Sequence, residues 1–198
     1  GEYMISLRLG SLASTNYNFT YLDGSLQVTK STVTVSADDK SKKYGEANPV
    51  LTVSYNGFKN GEILANSGIT GTPSLVTDAT VASGVGNYTI NLTAGTLASS
   101  NYSFVYVDGK LSIGKALVTV TAENKNRAYG EANPVFTASY NGFVNGESLA
   151  TSGISGTPSL STSATEATSV GSYDIVAESG SMLAANYSFN FVNGKLNI

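Results

Sequence analysis

The chain has 198 residues and among them neither a cysteine nor a histidine. Without cysteine there are no disulfides and no thiolate metal sites, so whatever staples the fold must come from elsewhere. Without histidine the usual general base, the commonest metal ligand and every Ser-His or Cys-His nucleophile arrangement are gone together. Carboxylates, lysine and tyrosine are what a catalytic reading would have to use. Charge is also scarce, at 13% of residues against roughly 25% in ordinary globular proteins. The 11 Lys and Arg against 14 Asp and Glu give a net charge of -3, and no basic cluster offers phosphates a footprint, which argues against nucleic acid as a partner. No apolar run reaches the ~18 residues that a bilayer span needs, and no basic-then-apolar leader opens the chain. The expectation is a soluble fragment or mature segment with no membrane insertion. In place of charge stand Gly, Ser, Thr and Asn, a composition of strands and turns.

What is present is a repeat. Residue n set against residue n+85 aligns the chain with itself without a gap, and such self-similarity takes precedence over other readings. The stretch YGEANP stands at residues 44 to 49 and again at residues 129 to 134; Tyr55-Asn56-Gly57-Phe58 meets Tyr140-Asn141-Gly142-Phe143, and Gly71 to Leu75 meets Gly156 to Leu160. Asn16-Tyr17, Asn101-Tyr102 and Asn186-Tyr187 carry the offset through three units. The implied division is residues 1–30 as the C-terminal part of a preceding repeat, 31–115 as a complete repeat and 116–198 as another, taken from a longer array. All 12 tyrosines fall in register, as aromatics filling one hole in each unit's core would.

Runs rich in Val, Thr, Tyr and Ile predict strands at Thr32 to Ala37, Val50 to Asn56, Ile69 to Val76, Asn87 to Thr93, Tyr102 to Val107 and Lys110 to Ile113. Asp23-Gly24, Asp108-Gly109 and Asn193-Gly194 follow alternating segments and suit type I′ hairpin turns, whose two central residues need positive φ. Asn60 to Asn66 reads as a short helix, with Asn60 as its cap and Glu62 in the first turn. YGEANP reads as a corner: Gly45 and Gly130 give a crossing loop its freedom, Pro49 and Pro134 stand at the mouth of the second strand, and Tyr44 and Tyr129 lay their rings on the core edge with the hydroxyl given to backbone or water. The structural motif of each unit is thus Tyr44, Gly45, Pro49, Asp108 and Gly109, and Tyr129, Gly130, Pro134, Asn193 and Gly194. The fold class is mainly β: small β-rich domains in an elongated tandem array, β-grasp-like with one short helix each, or immunoglobulin-like sandwiches.

Few residues suggest chemistry. Glu46, Glu62, Glu131 and Glu147 could pair as acid and base, yet duplicated sites without histidine or a phosphate loop read better as turn and cap residues. Asp38-Asp39 with Asp23 or Asp108 could assist a Ca²⁺, but Glu123-Asn124 replaces the first pair in the second unit, so no metal and no cofactor is expected. Five Asn-x-Ser/Thr sequons, at Asn18, Asn87, Asn91, Asn101 and Asn186, match the N-glycosylation pattern, and in the Asn-Tyr-Ser stretches at Asn101 and Asn186 the Asn reads as the turn into a strand. Lys40, Lys125, Lys110 and Lys195 lie near Asn and Glu and raise a Lys-Asn isopeptide link. Stretches that differ between copies, including Lys42-Lys43 against Arg127-Ala128, predict solvent-facing loops.

The succession of a VTV strand, YGEANP, YNGF-x-NGE, ITGTPSL or ISGTPSL, a VGxY strand and NYSF…(D/N)GKL-I resembles the MBG-type repeats, of the Tyr-Gly variety, in large bacterial surface adhesins of filamentous-haemagglutinin-like kind. The resemblance covers the whole chain and implies no catalytic residues. It implies extracellular stalk repeats whose partners are neighbouring repeats of the same chain, with direct binding of host or matrix glycans or proteins as the alternative. Only Gly114-Lys115-Ala116 separates one unit's last strand from the next unit's first, a joint stiffer than Gly/Ser linkers.

Overall fold

A computed structural model describes residues 1–198. Its strands are β1 (Glu2–Ile5), β2 (Gly24–Gln27), β3 (Ser31–Ala37), β4 (Lys40–Lys43), β5 (Val53–Asn56), β6 (Ser74–Val76), β7 (Gly86–Thr93), β8 (Tyr102–Val107), β9 (Gly109–Gly114), β10 (Ala116–Ala122), β11 (Lys125–Asn126), β12 (Ala138–Asn141), β13 (Ser159–Ser161), β14 (Ser172–Glu178), β15 (Tyr187–Val192) and β16 (Gly194–Asn197). β1 and β2 form an antiparallel pair of their own. Each complete repeat then builds one three-stranded sheet, β5-β3-β8 or β12-β10-β15, and one four-stranded sheet, β4-β9-β7-β6 or β11-β16-β14-β13.

Alternation sets these strands. In β10, Val118, Val120 and Ala122 are buried while Leu117 and Thr119 point elsewhere, and β3 repeats the pattern with Val33, Val35 and Ala37, the period of two expected of a strand with one covered face. In the second repeat Ala122 of one sheet meets Ile175, Ala177 and Leu196 of the other, with Phe191, Leu160 and Tyr173 packed around them. Full burial of Ile175 and Leu196 contributes about 1.5–3 kcal/mol each.

Close contacts gather into two compact units that do not follow the repeats. One holds Gly1–Ser36, Val53–Ser74 and Leu92–Val107, hence the β1-β2 hairpin and the three-stranded sheet of the first repeat. The other holds Ala37–Thr52, Leu75–Asn91 and Asp108–Ile198, hence the four-stranded sheet of the first repeat and all of the second.

Several expectations are corrected. β8 and β9 do not form a hairpin, nor do β15 and β16: β8 runs parallel to β3 in one sheet, and β9 runs parallel to β4 and antiparallel to β7 in another. Gly109 and Gly194 have no positive φ; they are glycine because a Cβ would lie 2.7 Å from the Ala37 carbonyl oxygen and 2.4 Å from that of Ala122. The pairs with both φ positive are instead Asn60-Gly61 (56° and 72°) and Asn145-Gly146 (56° and 71°). Each closes a tight turn, Glu62 N donating to Lys59 O at 3.0 Å and Glu147 N to Val144 O at 3.0 Å, so Asn60 is a turn residue and not a helix cap. The expected helix shrinks to the 3-10 turn Leu64–Asn66, with no counterpart in the second repeat. No helix covers a sheet, as a β-grasp requires, and the parallel pairs β3-β8 and β10-β15 depart from the antiparallel sheets of an immunoglobulin sandwich. β4 and β11 went unread in the sequence, and the second strands begin at Val53 and Ala138, so Pro49 and Pro134 precede them by several residues.

Candidate functional site

The YGEANP stretch is a joint as much as a corner. β4 pairs in parallel with β9 through Lys43↔Gly114, and Tyr44 N continues the ladder by donating to Gly114 O at 2.8 Å. Gly45, at φ 83°, then turns the chain, and Glu46 closes the turn with its own carboxylate, accepting Lys43 N at 2.7 Å. Asn48 Nδ2 reaches Ala79 O at 2.6 Å. In the second copy Glu131 accepts Ala128 N at 3.1 Å and Asn133 Nδ2 reaches Ala164 O at 2.7 Å, so Glu and Asn serve their own turn both times.

Tyr44 leaves its own repeat. Its hydroxyl donates to Glu147 Oε1 at 2.5 Å, and Tyr187 donates to Glu147 Oε2 at 2.5 Å. One carboxylate of the second repeat thus takes a phenol from each side. The rings meet edge to face, centroids 5.6 Å apart at 87°, and Phe143 closes on Tyr187 at 5.9 Å and 79°. Tyr187 is fixed further by Val144 N, which donates to its hydroxyl at 3.2 Å. Gly45 packs so closely that a Cβ would sit 2.5 Å from Val144 Cβ, while nothing lies within 4 Å of the same point on Gly130. Nearby, Val85 N donates to Asn186 Oδ1 at 3.0 Å, and the connector residue Lys115 reaches Ala184 O at 2.8 Å.

Magnitudes identify the main term. A hydrogen bond to a charged group is worth about 1.5–3 kcal/mol, the lower end applying to the half-exposed Glu147, and an edge-to-face pair about 0.5–1.5 kcal/mol beyond burial. Both phenols are held neutral. Burial first, then the bond to Glu147, pushes Tyr187 up to about 12; Tyr44 is raised chiefly by its bond to Glu147, with the amides of Asn145 and Asn186 pulling the other way.

Other candidates resolve into local structure. Asp38 accepts the Thr52 hydroxyl and Asp39 Oδ1 accepts Lys110 N at 2.7 Å, and no group of three acidic residues is placed to hold a metal. Lys195 Nζ binds Asp174 at 2.6 Å and Lys125 Nζ binds Glu123 at 3.2 Å, so these two amines are engaged with carboxylates. The reading of Lys42 and Arg127 as solvent-facing is overturned: each is only 8% exposed. Lys42 Nζ donates to Glu46 O and Thr80 O, and Arg127 to Ala128 O and Thr165 O, each cation stitching its turn to a neighbouring loop. The in-register tyrosines are not uniformly core either: Tyr102 and Tyr187 are buried, Tyr17 is exposed, and Tyr44 is 6% exposed against 63% for Tyr129.

Tandem small β domains, with a Tyr-Gly turn of one repeat clasped by the next, define the class. The MBG domain (YGX type) family matches residues 33–112 and 118–197, and the chain belongs to that family. Its Tyr-Gly is here Tyr44-Gly45 and Tyr129-Gly130. No curated protein matches the chain significantly. The family is not one of enzymes.

Proposed function

We propose that the chain is a non-catalytic spacer segment of a bacterial cell-surface or secreted adhesin, whose tandem repeats project an adhesive region from the cell. In this reading residues 1–30 are the end of one repeat and 31–115 and 116–198 are the next two. The observation that carries it is the clasp of Tyr44 by Glu147 and Tyr187, which spends the family's most distinctive dipeptide on holding the following repeat. In the first copy such use leaves Tyr44 unavailable to a ligand and suits a mechanical part. A single residue, Lys115, between β9 and β10 also supports limited freedom between repeats, and no helix is long and apolar enough to cross a membrane. Small-angle X-ray scattering on the chain tests the proposal: an elongated profile of fixed maximum dimension is expected. A profile that fits only freely hinged units, together with glycan-array binding by the chain, would give the role to direct recognition instead.

A further inference from the structure

Each complete repeat begins and ends on stretches of chain that lie side by side and run the same way. In the second repeat β10, the first strand, pairs in parallel with β15, from Ala116↔Tyr187 to Thr121↔Val192. β11 pairs in parallel with β16, the last strand, through Lys125↔Leu196 and Asn126↔Asn197. Only Glu123-Asn124 separates β10 from β11, and only Asn193 separates β15 from β16, so the two stretches cross together from one sheet to the other. The register survives the crossing. Partners stand 71 residues apart on both sides of it, and at the crossing the Asn124 side chain stands in for the ladder, its Oδ1 accepting Lys195 N at 2.7 Å. Backbone bonds extend the pairing at both ends, Ala116 N donating to Asn186 O and Arg127 N to Asn197 O, each at 3.0 Å. The first repeat has the same two ladders, β3 with β8 and β4 with β9, and the same side-chain bridge, Asp39 Oδ1 accepting Lys110 N at 2.7 Å.

This order decides how a pull along the chain is carried. A pull applied between Lys115 and Ile198 drags β10 and β11 towards their N-terminal ends, and β15 and β16 towards their C-terminal ends. The two partners of each parallel ladder are therefore drawn past one another. The evenly spaced bonds of a parallel ladder lie across that motion and are strained together, whereas peeling the same strands apart from one end would strain them one at a time. β12 on the far side of β10 and β14 on the far side of β16 hold the loaded strands within their sheets.

We propose that each complete repeat is a tension-bearing clamp, its two parallel ladders carrying in shear a pull directed along the chain. The inference builds on the spacer reading, since a part that projects an adhesive region from a cell is loaded end to end. What it adds is a second property, resistance to forced unfolding, which is governed by the unfolding rate and not by equilibrium stability.

Single-molecule force spectroscopy on the chain, in two directions of pull, tests the clamp. The chain has no cysteine of its own, so handles attach only where one is placed. Lys115→Cys with a handle at the C-terminal end loads the ladders of the second repeat in shear. Lys115→Cys with Ala185→Cys, both exposed positions beside the same end of the β10-β15 pair, peels them open. At equal force the second repeat should unfold at least about tenfold more slowly in shear, because several backbone bonds must fail together. Urea midpoints of the two variants, measured in parallel, separate the direction of pull from a loss of stability. Equal rates in the two directions, or faster unfolding in shear, overturn the proposal. The spacer reading is judged apart from it: an elongated scattering profile without shear resistance keeps the spacer and removes the clamp, and shear resistance in a chain that binds glycans keeps the clamp and removes the spacer.

Discussion

Tyr44 and Tyr129 stand at one position of one repeated sequence, and their surroundings are opposite: the first is clasped by Glu147 and Tyr187, the second is 63% exposed. The tyrosines were legible in the sequence as recurring structure. What was not legible is that Tyr44 finds its partner 103 residues away, because period alone says which positions correspond and nothing about which copy they touch. The same blindness hid Lys42: Lys against Arg looked like drift, yet a long cation on backbone carbonyls can be either. The clasp carries a pH signature. A phenol raised in the folded state contributes stability that is fully present below the unfolded tyrosine value of about 10 and is lost as pH rises through the folded one. With Tyr187 at about 12 and Tyr44 raised, beside Tyr55, Tyr102 and Tyr140 which are raised too, alkaline titration of phenolate absorbance should show a late-titrating group that includes Tyr44 and Tyr187, and stability should fall between about pH 10 and 12. Substituting Glu147→Gln should bring Tyr44 back towards the ordinary value and lower Tyr187 only in part, since burial still raises it; unchanged titration of Tyr44 would count against the clasp.

At the scale of elements, most strands were readable from β-branched alternation, and their boundaries moved by a few residues. Two things were not. β4 is Lys-Ser-Lys-Lys, which no strand propensity selects; it is a strand because β9 lies beside it. The Asp-Gly and Asn-Gly pairs mark a real need for glycine but not its cause. Val107 and Gly109 belong to different sheets, and the glycine answers a close approach by the Ala37 carbonyl, while the left-handed pair is Asn60-Gly61. Turn chemistry is local, whereas the choice of sheet partner is not, so sequence could see the residue and misjudge the role. It follows that Gly109→Ala and Gly194→Ala each destabilise by about 1–3 kcal/mol despite ordinary φ, through overpacking against backbone. Urea unfolding measures this, and a change below about 0.5 kcal/mol would mean that the approach relaxes freely.

For the whole molecule the repeat of 85 residues was the most legible feature, and the family match at 33–112 and 118–197 follows the same period. The account's central claim is that neighbouring repeats are coupled through Tyr44 and Glu147, and a double-mutant cycle in urea tests it most directly. Tyr44→Phe, Glu147→Gln and the double variant should give a coupling energy of about 1 kcal/mol or more. The parallel cycle with Tyr129→Phe, whose hydroxyl position lies outside the clasp, should be additive to within about 0.5 kcal/mol. Additivity in both cycles would contradict the claim and reduce the Tyr-Gly motif to a surface turn.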